Sequence, residues 1–241
     1  MEELYEAEIM TFDHEFGRFI DYLKQRGIYK QSLIVFLSDH GEEFFEHRGW
    51  SHGHSLYNEL IKVPLIIKFP QGKYKGKKIE KNVGLIDVLP TLTDYLDIEQ
   101  QRQIDGISLM PLIAGGHFPV RRLISSSAGC LFFDSTPKRI AILFDRYKVI
   151  YNFPVSAGDK DVFREAGLPP EPPMFEVFDL EKDPRETHNL YPGSKTLVND
   201  LQKELKDIIK RVRLHLKRSR SPKIEFNSEE LERLKSLGYI E

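Results

Sequence analysis

The sequence contains a single cysteine, Cys130, among 241 residues. One cysteine excludes an internal disulfide and any zinc or iron–sulfur site that is built on a cysteine cluster. Positive and negative charge are nearly balanced, with 35 Lys and Arg against 37 Asp and Glu and a formal net charge of −2. No global field therefore draws the chain to nucleic acid or to an anionic membrane, and we expect neither partner.

Long apolar runs are also missing. No segment approaches the roughly 18 apolar residues that a membrane-spanning helix needs. The N-terminal sequence Met1-Glu2-Glu3 is acidic and lacks the apolar core of a signal peptide. As the chain stands, these features predict a cytoplasmic protein, but we expect its natural N-terminus to lie upstream and leave the compartment open. The remaining composition, 40% hydrophobic and 30% charged, is that of a globular protein with one large or two small domains.

One short apolar run leads directly into polar residues that can carry chemistry. Leu33–Leu37 is rich in Ile, Val and Phe, which predicts a strand over 32–37 that is buried on both faces. Asp39 and His40 follow it within a Ser-Asp-His-Gly sequence. Ligands of parallel sheets bind just beyond the carboxyl ends of strands, so this is a candidate metal pair or a base with its orienting acid. A simple strand-end turn is the alternative, because Asp and Gly favour turns.

Two further histidines, His52 and His54, lie in a glycine-containing loop, and a second buried strand is predicted over 63–69. These histidines strengthen the case for a functional site, although each could also be an ordinary exposed histidine. Four other polar residues between the two segments are expected to support the site or to face solvent: Glu42, Glu43, Glu46 and His47.

Taken in order, these motifs closely resemble the sulfatase family of the alkaline-phosphatase-like superfamily. The matching segments are Ser-Asp-His-Gly-Glu, His-Gly-x-x-Leu-Tyr and Ile-Lys-Val-Pro-Leu-Ile-Ile, joined later by Phe-Asp-Leu-Glu-Lys-Asp-Pro. The resemblance runs from Tyr5 to Tyr239 but covers only the C-terminal portion of a sulfatase. It implies an α/β fold: the C-terminal part of an α/β/α sandwich, followed by a small antiparallel β-sheet subdomain with a packed helix.

The resemblance assigns roles to the candidate residues. It implies that Asp39 and His40 are metal ligands and that His52 or His54 contacts the sulfate or protonates the leaving group, with His52 fitting the family spacing best. The implied cofactor is a divalent cation, with Ca²⁺ preferred and Mg²⁺, Mn²⁺ or Zn²⁺ open, because one Asp and one His suit all four. The implied reaction is hydrolysis of the sulfate ester of a small molecule or glycan.

The resemblance also implies parts that this sequence does not show. Sulfatases carry two further aspartates and a Cys/Ser-x-Pro-x-Arg nucleophile, oxidised to formylglycine, upstream of the metal-bearing strand. Ser135-x-Pro-x-Arg139 fits the nucleophile pattern but lies far downstream of Asp39, where the family has its C-terminal hairpin. Cys130 lacks the Pro and Arg and is expected to be a buried small residue. We therefore expect a fragment without its nucleophile, whose partner would be the missing N-terminal segment.

Two alternatives remain open. One is a phosphate or phosphonate ester hydrolase, or a phosphoethanolamine transferase, of the same superfamily. The other is a truncated relative without catalysis. For the domains, we predict the end of the large α/β domain over 1–120 with its metal-ligand strand at 32–40, a small antiparallel subdomain over 121–218, and a tail with a short helix over 219–241.

The elements within these domains follow from the hydrophobic pattern. Asp87 is predicted to take an N-cap or first-turn position in the helix that follows. The other predicted elements are a helix over 2–26, a hairpin over 139–153, a strand over 175–180 and a helix over 195–216.

Overall fold

The structure is a computed structural model that describes residues 2–100, 104–127, 139–153 and 173–193, with a few isolated positions beyond. The chain divides into two compact units, Met1–Gly193 and Ser194–Glu241, and the elements below belong to the first. The boundaries expected near 120 and 218 stay predictions. Most residues of the helices expected beyond 194, together with Cys130 and Ser135, lie outside the described residues.

A long helix opens the chain. Helix α1 spans Glu2–Gln25, as its helical spacing of apolar residues predicted, and ends before Gly27, whose φ of 71° is typical of a helix C-terminus. Its aromatic face packs on the strand that leads to the candidate site. The rings of Phe12 and Phe16 lie 6.0 and 5.5 Å from the ring of Phe36. Within the described part of the chain, no helix has the length and apolar character to cross a bilayer.

The strand before the candidate site is β1, Ile34–Leu37, and it pairs antiparallel with β4, Leu65–Lys68. The predicted burial on both faces is wrong: the strand is half-buried, and Leu37 at its end is exposed. The reason is that β1 and β4 form a two-stranded sheet in the described chain, so their outer edges have no neighbouring strand.

The face of this sheet opposite α1 covers a hydrophobic cluster. Leu65 and Ile67, which alternate with the exposed Ile66, pack on that cluster. Two short helices lie nearby in the chain, α3 at Val88–Tyr95 and α4 at Met110–Ala114. The buried members of the cluster are Phe69, Leu109, Ile113 and Phe118.

Asp87 precedes α3, as predicted, but it does not cap that helix with its side chain. Its carboxylate is fully buried and accepts hydrogen bonds from the backbone N–H groups of Gly84, at 2.8 Å, and Ile107, at 3.1 Å. It also pairs with the guanidinium of Arg121. Asp87 therefore joins three separate segments, which is a tertiary role that its position before a helix did not reveal.

Between β1 and β4 the chain forms a small loop structure. Strands β2, Glu43–Phe44, and β3, Trp50–Ser51, pair antiparallel, and helix α2 follows at Asn58–Ile61. This loop carries both candidate histidines, so its internal contacts decide where they lie.

The predicted antiparallel sheet is present. Its strands are β5 at Leu123–Ser127, β6 at Arg139–Phe144, β7 at Tyr147–Asn152 and β8 at Phe175–Asp179. They lie in the order β5-β6-β7-β8, and every neighbouring pair is antiparallel. The loop and this sheet share a core, in which Leu56 packs with Ala141, Ile150 and Phe178.

Candidate active site

Asp39 and His40 stand at the carboxyl end of β1, where the sequence predicted a site. Their side chains are exposed, at 85% for Asp39 and 46% for His40, and His40 Nε2 lies 3.8 Å from Asp39 Oδ1. The turn beneath them is tight. Gly41 donates its N–H to the carbonyl of Leu60 at 2.8 Å, and a Cβ on it would lie 1.9 Å from the carbonyl oxygen of Glu59. Only glycine fits there, so the site turn is held against the segment before β4.

The tautomer of His40 follows from its hydrogen bond. Its Nδ1 lies 2.9 Å from the carbonyl oxygen of Gly41, which can only accept. Nδ1 therefore carries the proton, and the lone pair of Nε2 is available on the side of Asp39. This arrangement, with one ring nitrogen held by a carbonyl and the other free, is the one that metal-binding histidines generally use.

His52 comes to the same place from the loop. Its ring stacks on that of His40, with 4.2 Å between centroids and 27° between planes. Its Nδ1 lies 3.1 Å from Glu42 Oε2, and its side chain is 45% exposed. Because the carboxylate of Glu42 accepts a hydrogen bond from Nδ1–H, Nε2 is the nitrogen left for a ligand. The fold thus gathers Asp39, His40, Glu42 and His52 from two segments onto one exposed surface.

His54, the other predicted catalytic histidine, lies in a different setting. Its side chain is 4% exposed, and its Nε2 is 2.6 Å from Oε2 of Glu43, which is 1% exposed. A ring nitrogen that is bound by a buried carboxylate is not available to a substrate in this arrangement. The catalytic role of His54 stays a prediction, and its burial argues against direct contact with substrate.

Glu43 was expected to support the site or to face solvent, and its full burial excludes the solvent-facing alternative. Its Oε1 accepts backbone N–H groups from His47, at 3.0 Å, and Gly49, at 2.7 Å, while Oε2 binds His54. Burial by itself would raise the pKa of Glu43, but the hydrogen bonds from His54, Gly49 and His47 outweigh it and lower the pKa. No local sequence pattern marks such a residue, since its partners lie along the following loop.

His47 is half-buried and bonded through both ring nitrogens. Nδ1 lies 2.5 Å from Glu59 Oε1, Nε2 lies 3.1 Å from the carbonyl oxygen of Glu186, and the ring stacks on Tyr57 with 3.7 Å between centroids. Burial would lower the pKa of His47, but the hydrogen bond and charge of Glu59 outweigh it and raise the pKa. His47 therefore ties the loop to the segment after β8.

A buried ion pair fastens the same loop to the four-stranded sheet. Lys148 in β7 lies with its Nζ 2.7 Å from Glu186 Oε1 and 3.2 Å from Asn58 Oδ1, and Glu186 Oε2 accepts the backbone N–H of Asn58 at 2.6 Å. Both charged side chains are fully buried. Burial lowers the pKa of Lys148 and raises that of Glu186, and each charge opposes the shift of its partner. Sequence reasoning missed this pair, because nothing local marks either residue.

The side chains of Asp39 and His40 suit a divalent cation in part. An exposed carboxylate beside an imidazole with a free Nε2 lone pair fits such an ion chemically. The pair supplies two ligands, whereas a hard cation takes about six or more. Over the described ranges, no group of three or more His, Cys, Asp or Glu side chains could hold a metal. Asp39 and His40 therefore fit part of a metal site.

Comparisons with known proteins agree with the motifs. A family model described as Sulfatase matches residues 3–98. The multifunctional alkaline phosphatase superfamily protein PehA of Trinickia caryophylli is 30% identical over 207 residues, which cover 83% of this chain and 38% of PehA. Arylsulfatase K of Gallus gallus is 30% identical over 214 residues, which cover 85% of this chain and 36% of that protein.

A solved structure shares the fold. The structure of BT4656 in complex with its substrate D-glucosamine-2-N,6-O-disulfate matches with a TM-score of 0.59 at 25% identity, over 90% of this chain and 41% of that one. The present chain thus spans somewhat over a third of the length of the curated relatives that it matches. With the motifs at the ends of β1 and β3, these matches establish that the chain belongs to the sulfatase family and has the alkaline-phosphatase-like α/β fold.

Proposed function

We propose that this chain carries two metal ligands, Asp39 and His40, called the metal corner below, and the substrate-facing histidine, His52, of an enzyme that hydrolyses sulfate esters. The observation that carries the proposal is the contact between His52 and His40, whose stacked rings lie 4.2 Å apart beside the exposed carboxylate of Asp39. Two motifs separated along the sequence meet there on one surface. Membership of the sulfatase family supports the reaction class.

In this proposal, Asp39 and His40 are two of the ligands of a divalent cation, and Ca²⁺ is the first candidate among hard cations. Bound there, the cation would neutralise negative charge that develops on the sulfate oxygens. Glu42 holds the Nδ1 proton of His52, so that Nε2 faces the substrate. His52 in its protonated form donates through Nε2, either to a sulfate oxygen or to the leaving alkoxide.

No nucleophile is assigned to the described residues. Arg139, the last residue of the only nucleophile-like pattern, is buried in β6 opposite Asn152. Ser135 itself lies outside the described residues. As substrate class we propose a sulfated sugar, because BT4656 has a sulfated glucosamine as its substrate.

The first experiment tests the metal corner directly. Mn²⁺ is titrated into the chain while the histidine ring signals are followed by NMR, since a bound paramagnetic ion broadens nearby resonances. We expect selective broadening of His40 that disappears in Asp39→Ala. The matched control is Asp13→Ala, because Asp13-His14 is a second exposed Asp-His pair, on α1. Equal broadening of His14 and His40 would remove the support for a metal site at Asp39.

The second experiment tests the reaction class. Hydrolysis of an aryl sulfate and of an aryl phosphate is measured with Ca²⁺, Mn²⁺ or Zn²⁺ present. We expect no turnover above Asp39→Ala from this chain by itself. Sulfate turnover that depends on Asp39 would place a nucleophile within these 241 residues, with Ser135 the first to mutate. Turnover of the phosphate alone would instead favour the phosphate or phosphonate hydrolases of the superfamily.

A further inference from the structure

Two adjacent glutamates in the site loop bind two histidines that lie two positions apart. Glu42 holds the exposed His52 at 3.1 Å, and Glu43 holds the buried His54 at 2.6 Å. Glu43 lies in β2 opposite Ser51 of β3, Glu42 immediately precedes β2, and both histidines follow β3. The exposed pair belongs to the proposed site, whereas the mechanism above does not use the buried pair.

The carboxylate of Glu43 closes the loop that presents His52. It accepts three hydrogen bonds, from the N–H of His47, the N–H of Gly49 and the ring of His54. These donors stand before and after His52 in the chain. The segment that carries His52 cannot move outward without breaking bonds to a buried carboxylate, which is a costly group to leave unsatisfied.

The space around the pair is equally restrictive. A Cβ on Gly49 would lie 2.1 Å from His54 Nε2 and 2.9 Å from Glu43 Oε2. The backbone at Gly49 therefore lies directly against the buried pair. A shift of either side chain is transmitted to the backbone that leads to His52.

We propose that the buried Glu43–His54 pair positions His52 against His40, and that His54 acts through the loop and not on the substrate. The importance of this position rests on the proposed function, which makes His52 the substrate-facing group. The position of His52 against His40 is present in the chain without metal or substrate and can be measured there. The proposal replaces a catalytic role for His54 by that of a positioning residue.

The test is an NMR measurement on the full 241-residue chain with isotope-labelled histidine. The nuclear Overhauser effect between the rings of His40 and His52 reports their stacking. We expect it to fall several-fold in His54→Gln. The matched control is Glu59→Ala, which removes the carboxylate that binds His47 in the same loop without touching the Gly49–His54 segment.

A conservative variant distinguishes an effect on the position of His52 from a general loss of the loop structure. In Glu43→Gln, the amide oxygen still accepts the two backbone N–H groups, and the amide NH₂ can donate to His54 Nε2 once the ring proton moves to Nδ1. We expect this variant to keep most of the His40–His52 effect, with ¹⁵N shifts of His54 that report the change of tautomer. If His54→Gln does not fold, Gly49→Ala replaces it as the test variant. The added Cβ displaces the Glu43–His54 pair but removes no polar group.

The outcomes are separable from those of the metal experiment. An undiminished ring–ring effect in folded His54→Gln or Gly49→Ala would overturn the positioning role while leaving the metal corner untouched. An equal loss in Glu59→Ala would also overturn it, since any damage to the loop would then suffice. A selective loss would establish the positioning role even if Mn²⁺ bound nowhere near Asp39.

Discussion

Lys148→Met removes one charge from the interior while keeping a long apolar side chain in place. Lys148 lies fully buried in β7, with its ammonium 2.7 Å from Glu186 and 3.2 Å from Asn58. Methionine fills a similar volume but cannot donate a hydrogen bond. Glu186 would remain buried, with the backbone N–H of Asn58 as the donor that stays in place.

The expected loss is large. Removing one partner of a buried ion pair costs about 3–5 kcal/mol, because the other charge is left uncompensated. The bond from Asn58 offsets part of this, so we expect the free energy of unfolding of Lys148→Met to fall by about 3 kcal/mol near neutral pH. Adding Glu186→Gln removes the stranded charge. The double variant should therefore lie within about 1 kcal/mol of the original chain.

The loss should also depend on pH in a defined direction. Burial already raises the pKa of Glu186 from its ordinary value of 4.5, and removal of Lys148 raises it further. A carboxyl group whose pKa is raised on folding destabilises the fold only above its unfolded pKa, because below that value it is protonated in both states. The deficit of Lys148→Met should be larger near neutral pH and should shrink as the pH falls towards 4.5.

Urea unfolding followed by circular dichroism measures these differences near neutral pH and near the ordinary pKa of Glu186. The control is Arg18→Met, which breaks an exposed pair with Glu15 on α1 and should change stability little. A deficit for Lys148→Met below about 1 kcal/mol, within the range of surface pairs, would refute the reasoning. So would an equal deficit at both pH values, since it would show that Glu186 carries no penalty for its charge.

Three further predictions concern other parts of the fold. In urea unfolding, His47→Gln should lose most stability relative to the original chain near pH 6 and less as the pH rises. The reason is that Glu59 raises the folded pKa of His47 above its ordinary 6.5, and this contribution fades as the ring loses its proton. A stability difference that does not change with pH would contradict the prediction. Asp87→Asn should lower the free energy of unfolding by about 2 kcal/mol, since its buried hydrogen bonds are charge-assisted, and an unchanged thermal midpoint would argue against that role. Gly106→Ala should lower the thermal midpoint, because its Cβ would lie 2.0 Å from a backbone carbonyl oxygen. Gly17→Ala, whose Cβ would have nothing within 4 Å, should instead stabilise α1 by about 0.5–1 kcal/mol. Equal effects of the two variants would contradict the packing at Gly106.

Elements with a strong local pattern were predictable almost to the residue. Helix α1 and the hairpin of β6 and β7 follow from apolar periodicity and turn residues that lie within a few positions of one another. The burial of β1 was not predictable in the same way. Its composition is that of a core strand, but burial depends on which strands and helices lie beside it, and in the described chain β4 is its single strand neighbour.

In the candidate site, too, some features were predictable from the sequence and others were not. The Asp39-His40 pair and the preference for His52 came from motifs whose residues are adjacent or regularly spaced, and the fold brings His52 onto His40. The burial of Glu43 and His54 could not be foreseen. Glu42 and Glu43 are chemically identical and adjacent, and only the pairing of β2 with β3 decides which carboxylate faces the interior.

The sequence by itself determined the family, the secondary structure of its strongest elements and the residue types at the end of β1. Those features depend on neighbours along the chain. The tertiary structure alone decided which glutamate and which histidine of the loop are buried, and it joined Lys148 to Glu186 and to the start of α2. The physical reason is that hydrogen-bond partners distant in sequence are chosen by how whole elements pack, and buried polar groups must find those partners wherever the packing places them.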